Sequence, residues 1–286
     1  MKRKLAFFIV AVVACTVCLV GKHLASSNEA TASAADLRGT SAQVSTKTSA
    51  AAPDSLPTVT DDMNSAIAGY PDLDTAATLI DLDTGRQYTA GQTTTLFKAA
   101  STAKVLTAID YLHQTETGQA TLSQSIDGTS AEQLIKQMIE VSDDQAWADL
   151  NNYLGDQQQT YADSIGLSSF TGGEYYTMTA ADEAKLLALL YQGKLINAAD
   201  RNLLYTYMAN TTNTNLIQAA LPSDATVYHK YGQLWGYLND AAIVDYQGHH
   251  FALVIFTNNP AGTSDDYNDQ VALIHAVTAA VFKDIN

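Results

Sequence analysis

Strand patterns sit towards the two ends of the folded part of this chain, and a helical pattern fills the middle. Thr60 to Ile67 reads as the start of a helix, with Asp61 and Asp62 in its first turn, where carboxylates suit the helix dipole. Ala76 to Leu82 is apolar and strand-like. Asp83-Thr84-Gly85 reads as a turn, and Arg86 to Ala90 returns as a second strand, so the pair predicts a hairpin. From about 106 to 220 the signals are mostly helical. Ser130-Ala-Glu-Gln133 looks like a capping box for a helix to Glu140. A helix from about Asp144 to Leu154 stops at Gly155, and Thr179-Ala-Ala-Asp182 opens another that ends at Gly193. Strands then return at Thr226 to Tyr231, Asp240 to Tyr246 and His250 to Thr257, with a tight turn at Gln247-Gly248. Asp265 to Lys283 is a last amphipathic helix, with Val271, Ile274, Val277 and Val281 on one stripe. This order predicts an α+β fold of two lobes. Strands from both ends form one five-stranded antiparallel sheet flanked by the terminal helices, and the middle is an all-helical lobe. A cleft between such lobes is a common place for a site.

The chain has 286 residues and is 47% hydrophobic, enough for a sizeable core. Residues 1–22 differ in kind: Met-Lys-Arg-Lys precedes an apolar run from Leu5 to Val20, closed by Gly21 and Lys22. That is the pattern of a signal peptide or short membrane anchor, with Lys2, Arg3 and Lys4 kept inside the cell. Val12-Val13-Ala14-Cys15 resembles a lipoprotein cleavage box, but the apolar run continues past Cys15. A signal-anchor therefore ranks ahead of a lipoprotein, and free secretion comes third. Residues 23–61 are rich in Ser, Thr and Ala and read as a disordered tether. The expected place of the domain at 62–286 is the extracytoplasmic face of the cell, in or near the wall.

Cys15 and Cys18 both lie in the leader, so the domain has no disulfide and no cysteine metal site. No cofactor is expected. From Asp62 onward nine Lys and Arg stand against 26 Asp and Glu, which disfavours nucleic acid as a partner. No H-E-x-x-H, G-x-S-x-G or Gly-rich phosphate loop occurs, so zinc peptidase, α/β-hydrolase and nucleotide enzyme are disfavoured. His113 and His275 are isolated on helices, and His249-His250 sits at a hairpin tip where a solvated pair is expected. His229 reads as a packing or cleft-capping residue.

Phe97 to Leu106, FKAASTAKVL, carries the first chemical signal. Ser101 precedes Lys104 by three residues at what reads as a helix start, which places the two on one face. A serine hydroxyl needs a base to take its proton, and a desolvated lysine can be that base. A serine in the first helical turn also offers its own backbone N–H to an oxyanion. Two further pieces follow in order: Ser142-Asp143-Asp144 in the helical part, and Lys230-Tyr231-Gly232 on a strand.

S-T-A-K, then S-D-D, then K-Y-G resembles the S-x-x-K, S-D-N, K-T-G series of class A β-lactamases and penicillin-binding proteins. Asn239-Asp240-Ala241-Ala242-Ile243-Val244 is similar to the N-D-I-A-V strand of that family, and Thr177-Met178-Thr179-Ala180 to its T-T-x-P helix start. The resemblance covers about residues 62–286 and implies a β-lactamase-like fold. It implies Ser101 as nucleophile, Lys104 as its base and Ser142 as proton relay to the leaving nitrogen. Lys230 would place positive charge near the substrate carboxylate, and the backbone N–H groups of Ser101 and Gln233 would form the oxyanion hole. Asp144, Tyr231 and Gly232 fall at substrate-binding positions.

Three departures matter. Asp144 stands where the family has Asn, and an ionised Asp accepts hydrogen bonds but donates none. It is expected to pair with Lys104 and keep it charged. Tyr231 replaces the Ser or Thr that binds the substrate carboxylate, so its hydroxyl would lie further out. The loop that carries the deacylating Glu in class A enzymes is short here: Glu174 lies only three residues before Thr177, and the role is not carried over onto it beyond a possible deacylation base. Three readings stay open. The first is a serine hydrolase acting on β-lactams or similar amides, the second a cell-wall peptidase acting on peptidoglycan stem peptides, the third a wall-binding sensor without turnover. A monomer bound to membrane only through its N-terminal segment suits all three.

Overall fold

The structure, a computed structural model, describes residues 58–173, 175–262 and 266–283. The leader, nearly all of the tether and Glu174 lie outside the described residues. Helix α1 spans Val59–Ala68 and strands β1 and β2 span Asp74–Asp81 and Gln87–Gly91, close to the expected bounds. After a two-residue strand β3 (Phe97–Lys98), the helical part opens with α2 (Lys104–Glu116), followed by a small hairpin of β4 (Ser125–Ile126) and β5 (Thr129–Ser130). Helices α3 (Ala131–Glu140), α4 (Asp144–Leu154) and α5 (Gln157–Ser164) come next. Strand β6 (Thr177–Met178), which pairs with β3, leads into α6 (Ala180–Tyr191) and α7 (Ala198–Ala209). Strands β7 (Thr226–Leu234), β8 (Tyr237–Tyr246) and β9 (His249–Asn258) and helix α8 (Asn268–Lys283) close the fold. The middle is thus helical apart from β4, β5 and β6.

All five long strands join one antiparallel sheet in the order β2-β1-β9-β8-β7, as expected from strands at both ends of the chain. Successive side chains on a strand face opposite sides. Ala77, Leu79, Ala242, Val244, Leu253 and Ile255 therefore pack under α1 and α8, with Val59, Met63, Leu273, Ile274 and Val277. Ala76, Ile80, Ala241, Ile243, Ala252 and Val254 face the other way, into the core shared with the helical part. Each fully buried Leu, Ile, Val or Phe contributes about 1.5–3 kcal/mol, so both faces of the sheet hold it in place.

The helix starts are set by local hydrogen bonds. Ser130 accepts from Gln133 N, Asp143 from Ala146 N and Thr179 from Asp182 N, each at the N-terminus of the helix that follows. Gly155 ends α4 with φ +58°, a conformation that costs a glycine little. Helices α5 and α7 have no counterpart among the sequence expectations. Strands β7 and β8 are longer than expected because they meet in a tight hairpin at Trp235-Gly236, with φ +41° and +84°. That is the geometry of a two-residue primed turn, made here with an aromatic at its first position.

Two contacts bring the sheet to the Ser101 turn. Asn239 Nδ2 on β8 donates to Lys98 O and Ala99 O, at 2.9 and 3.1 Å, while its Oδ1 accepts from Thr257 N at 3.0 Å. Gly232 on β7 lies so close that a Cβ there would come within 2.7 Å of Ala99 O and 2.8 Å of Ser101 N. Only a residue without a side chain fits.

Candidate active site

Ser101 does not begin an α-helix. It lies in a 3₁₀ turn, Ala100–Ala103, and Lys104 is the first residue of α2. Ala100 has φ +51°, a left-handed conformation that costs a non-glycine residue roughly 1 kcal/mol and that the packing of β7 and β8 on this turn sustains. Ser142 likewise has φ +59°, directly before Asp143 caps α4. The two serines are thus each held by an unusual backbone turn rather than by a regular helix.

Ser101 and Lys104 line the same cavity of about 320 Å³, together with Asp144, Trp147, Tyr176 and Gln233. A second cavity opens from it, and Ser101, Ser142, Asp144, Tyr231 and Gln233 contribute to that one. The structure therefore brings together Ser101, Lys104, Ser142, Asp144, Tyr231 and Gln233, residues spread over nearly half of the chain. Lys230 joins them from β7: its Nζ donates to Ser142 Oγ at 2.9 Å and to Tyr231 O at 3.0 Å. Gly232 supplies the close approach of β7 described above. Tyr231 packs partly against the α8 side of the sheet, and its ring lies 4.2 Å from the Lys230 ammonium. It meets that cation with its aromatic face as well as its carbonyl.

Lys104 Nζ donates to Ser142 O at 2.8 Å, to Asp144 Oδ1 at 2.5 Å and, more weakly, to Ser142 Oγ at 3.4 Å. The pairing with Asp144 is as expected, and burial of the amine acts against its pull. Burial of the amine lowers the Lys104 pKa, and this outweighs the upward pull of Asp144 and of Asp143. Lys104 is 4% exposed and Asp144 is 88% exposed, so solvent weakens the carboxylate's hold while the amine bears the full cost of leaving water. Burial pushes Lys230 down as well, to about 7, helped by repulsion from Lys104 and opposed by Asp240 and Asp144. Two amines with lowered pKa values thus converge on Ser142 Oγ, an arrangement that can pass protons between hydroxyl groups and a leaving nitrogen.

The histidines stand apart from this. His229 is fully buried and its Nδ1 lies 2.9 Å from Asp240 Oδ1, on the sheet rather than over the cleft. His250 is not simply solvated: Nδ1 bonds Asp83 at 2.9 Å and ties the β8–β9 turn to the β1–β2 turn. No group of His, Cys, Asp and Glu that could hold a metal ion occurs among the described residues.

Several cleft residues carry no motif and were not legible in the sequence. Trp147 from α4 meets Tyr176 edge to face at 5.6 Å and forms an apolar wall beside Ser101 and Lys104. Tyr175 touches Trp235 at 5.1 Å, and Lys98 Nζ lies over both rings at 4.6 and 5.2 Å. Thr171 and Thr177 pair backbone to backbone beside this wall. Among the described residues that line the two cavities, Asp144 carries the only carboxylate.

A two-lobe fold with S-x-x-K, S-D-x and K-x-G segments converging on one cleft defines a class of serine-hydrolase-like proteins. The profile of the β-lactamase enzyme family matches residues 58–285, most of the chain, and the protein belongs to that family. Solved structures of similar fold include PBP-A, with a TM-score of 0.72 and 21% identity over 79% of this chain and 94% of that one. A β-lactamase from Xanthomonas campestris gives 0.73 and 22% over 80% and 99%. A variant of the class A β-lactamase of the last common ancestor of Gram-negative bacteria gives 0.72 and 22% over 79% and 97%. No curated protein matches the chain.

Proposed function

We propose that this protein is an extracytoplasmic serine hydrolase that is acylated on Ser101 by β-lactams or related amides and is deacylated slowly. The observation that carries this is the convergence of Lys104 and Lys230 on Ser142 Oγ, in the cleft that Ser101 lines. In the reaction Ser101 Oγ bonds to the carbonyl carbon and the C–N bond breaks. The serine proton leaves through Lys104, and Ser142 delivers a proton to the departing nitrogen. The N–H groups of Ser101 and Gln233 hold the oxyanion, and Lys230, with Tyr231 beside it, faces the substrate carboxylate.

The short loop before Thr177 and the described wall of the cavity support slow deacylation. A hydrolytic water needs a base within hydrogen-bond reach. Trp147 and Tyr176 line the cavity with Ser101, and the one carboxylate among its described lining residues, Asp144, is engaged by Lys104. The penicillin-binding peptidase reading keeps a place for the same reason, since a long-lived acyl-enzyme suits it. A mutant of PBP-A, similar in fold, has been solved as an acyl-enzyme complex with penicillin G. Residues 1–22 would anchor the domain at the cell envelope or direct its export, and the tether would let it reach wall peptides.

The test is incubation with a fluorescent penicillin followed by intact-protein mass measurement. A single adduct, absent in Ser101→Ala, supports the reading. Labelling that survives Ser101→Ala removes Ser101 from the mechanism, and no labelling of the wild type leaves only a binding domain.

A further inference from the structure

Asp144 brings into the cleft a charge that an Asn at this position would not. Its Oδ1 holds the buried amine of Lys104, yet the side chain is 88% exposed. It lines both cavities, as do Ser101, Gln233 and Leu234, so an acyl group lying in the groove beside Ser101 also lies beside Asp144. The Lys104 contact takes up Oδ1 from the buried side and leaves the solvent side of the carboxylate open to the groove. Lys230, also buried, is directed at Ser142. The nearest wall is aromatic, from Trp147 and Tyr176.

A carboxylate accepts hydrogen bonds and donates none. An acyl donor that turns a carbonyl oxygen towards Asp144 meets repulsion between two acceptors. One that brings a charged N–H donor gains a charge-assisted bond, about twice as strong as a neutral one. We propose that the site selects acyl donors whose acylamino side chain carries an ammonium group, and that Asp144 is the residue that recognises it. This rests on the acylation reading above and adds the substrate class to it.

Penicillin G and ampicillin share one nucleus and differ by an amino group on the side-chain α-carbon, so they are the probes. At about pH 6.5 an α-amino group is mostly protonated and a carboxylate ionised. Acylation rates of wild type and Asp144→Asn are followed by intact-protein mass. The ratio of the ampicillin rate to the penicillin G rate is expected to be about tenfold higher in wild type than in Asp144→Asn, the size of one exposed charge-assisted contact. The penicillin G rate itself should rise in Asp144→Asn, which regains a donor. An equal ratio in the two proteins, with adducts formed, overturns this inference and leaves the acylation reading standing. No adduct from either drug on the wild type overturns the acylation reading, and this inference with it.

Discussion

Lys230 Nζ donates a 2.9 Å hydrogen bond to Ser142 Oγ, joining the sheet to the loop before α4 across 88 residues of sequence. The Lys230 pKa is lowered to about 7, first by burial and then by the charge of Lys104. A lysine lowered in this way is charged below about 7 and neutral above it. Its attraction for a substrate carboxylate is therefore present at lower pH and fades as pH rises through 7. The second-order rate constant for acylation by a penicillin should fall above about pH 7. Lys230→Met should lower the rate roughly tenfold or more and remove that falling limb. A limb that persists in Lys230→Met belongs to another group.

Gly232 and Ser101 are coupled by contact. A methyl group at 232 would press on Ala99 O, Ser101 N and Thr102 N at 2.7 to 2.9 Å, and all three are backbone atoms. The turn that carries Ser101 must then move. Gly232→Ala should destabilise the protein by about 1–3 kcal/mol, a melting temperature lower by roughly 2–10 °C, and should slow acylation more than stability alone explains. Unchanged melting and labelling would mean that the turn tolerates the shift.

The acyl-enzyme should persist. With Trp147 and Tyr176 beside Ser101 and no free carboxylate among the described cavity residues, a penicilloyl adduct is expected to last minutes or longer. Glu174→Gln should alter that lifetime little. Rapid hydrolysis of a chromogenic cephalosporin by the wild type, lost in Glu174→Gln, would show that Glu174 acts as the deacylating base.

Glu183, on α6 against the sheet, is fully buried with neither carboxyl oxygen hydrogen-bonded, and burial pushes its pKa up to about 8. The folded protein then keeps a proton that the unfolded chain releases near 4.5. Stability should fall as pH rises between those two values, by at most about 1.4 kcal/mol per pH unit, and level off above. Melting temperatures measured at intervals from about pH 5 to 8 should drop less in Glu183→Gln than in wild type. Equal slopes would place the titration elsewhere.

What the sequence determined by itself is what lies within a few residues along the chain. The apolar runs of Ala76 to Leu82 and of Asp240 to Tyr246 marked strands. The patterns Ser130-Ala-Glu-Gln133 and Thr179-Ala-Ala-Asp182 marked helix starts, because a cap and its partner are neighbours in sequence. The three short motifs marked Ser101, Ser142 and Lys230. Helix α5 escaped because Gln157-Gln-Gln-Thr-Tyr-Ala-Asp-Ser164 has no apolar periodicity, and the Trp235-Gly236 turn because an aromatic with positive φ is no local turn signal. Only the tertiary structure decided the charges. Asp144 beside Lys104 reads as a pair that raises the lysine's pKa, and burial of the amine pulls it down by more. Burial is set by whatever packs over a group from α4, β7 and α2 at once, and no spacing along the chain encodes that. The same holds for the wall of Trp147 and Tyr176, which meet from separate helix and loop segments because the sheet and the helical core bring them to one cleft.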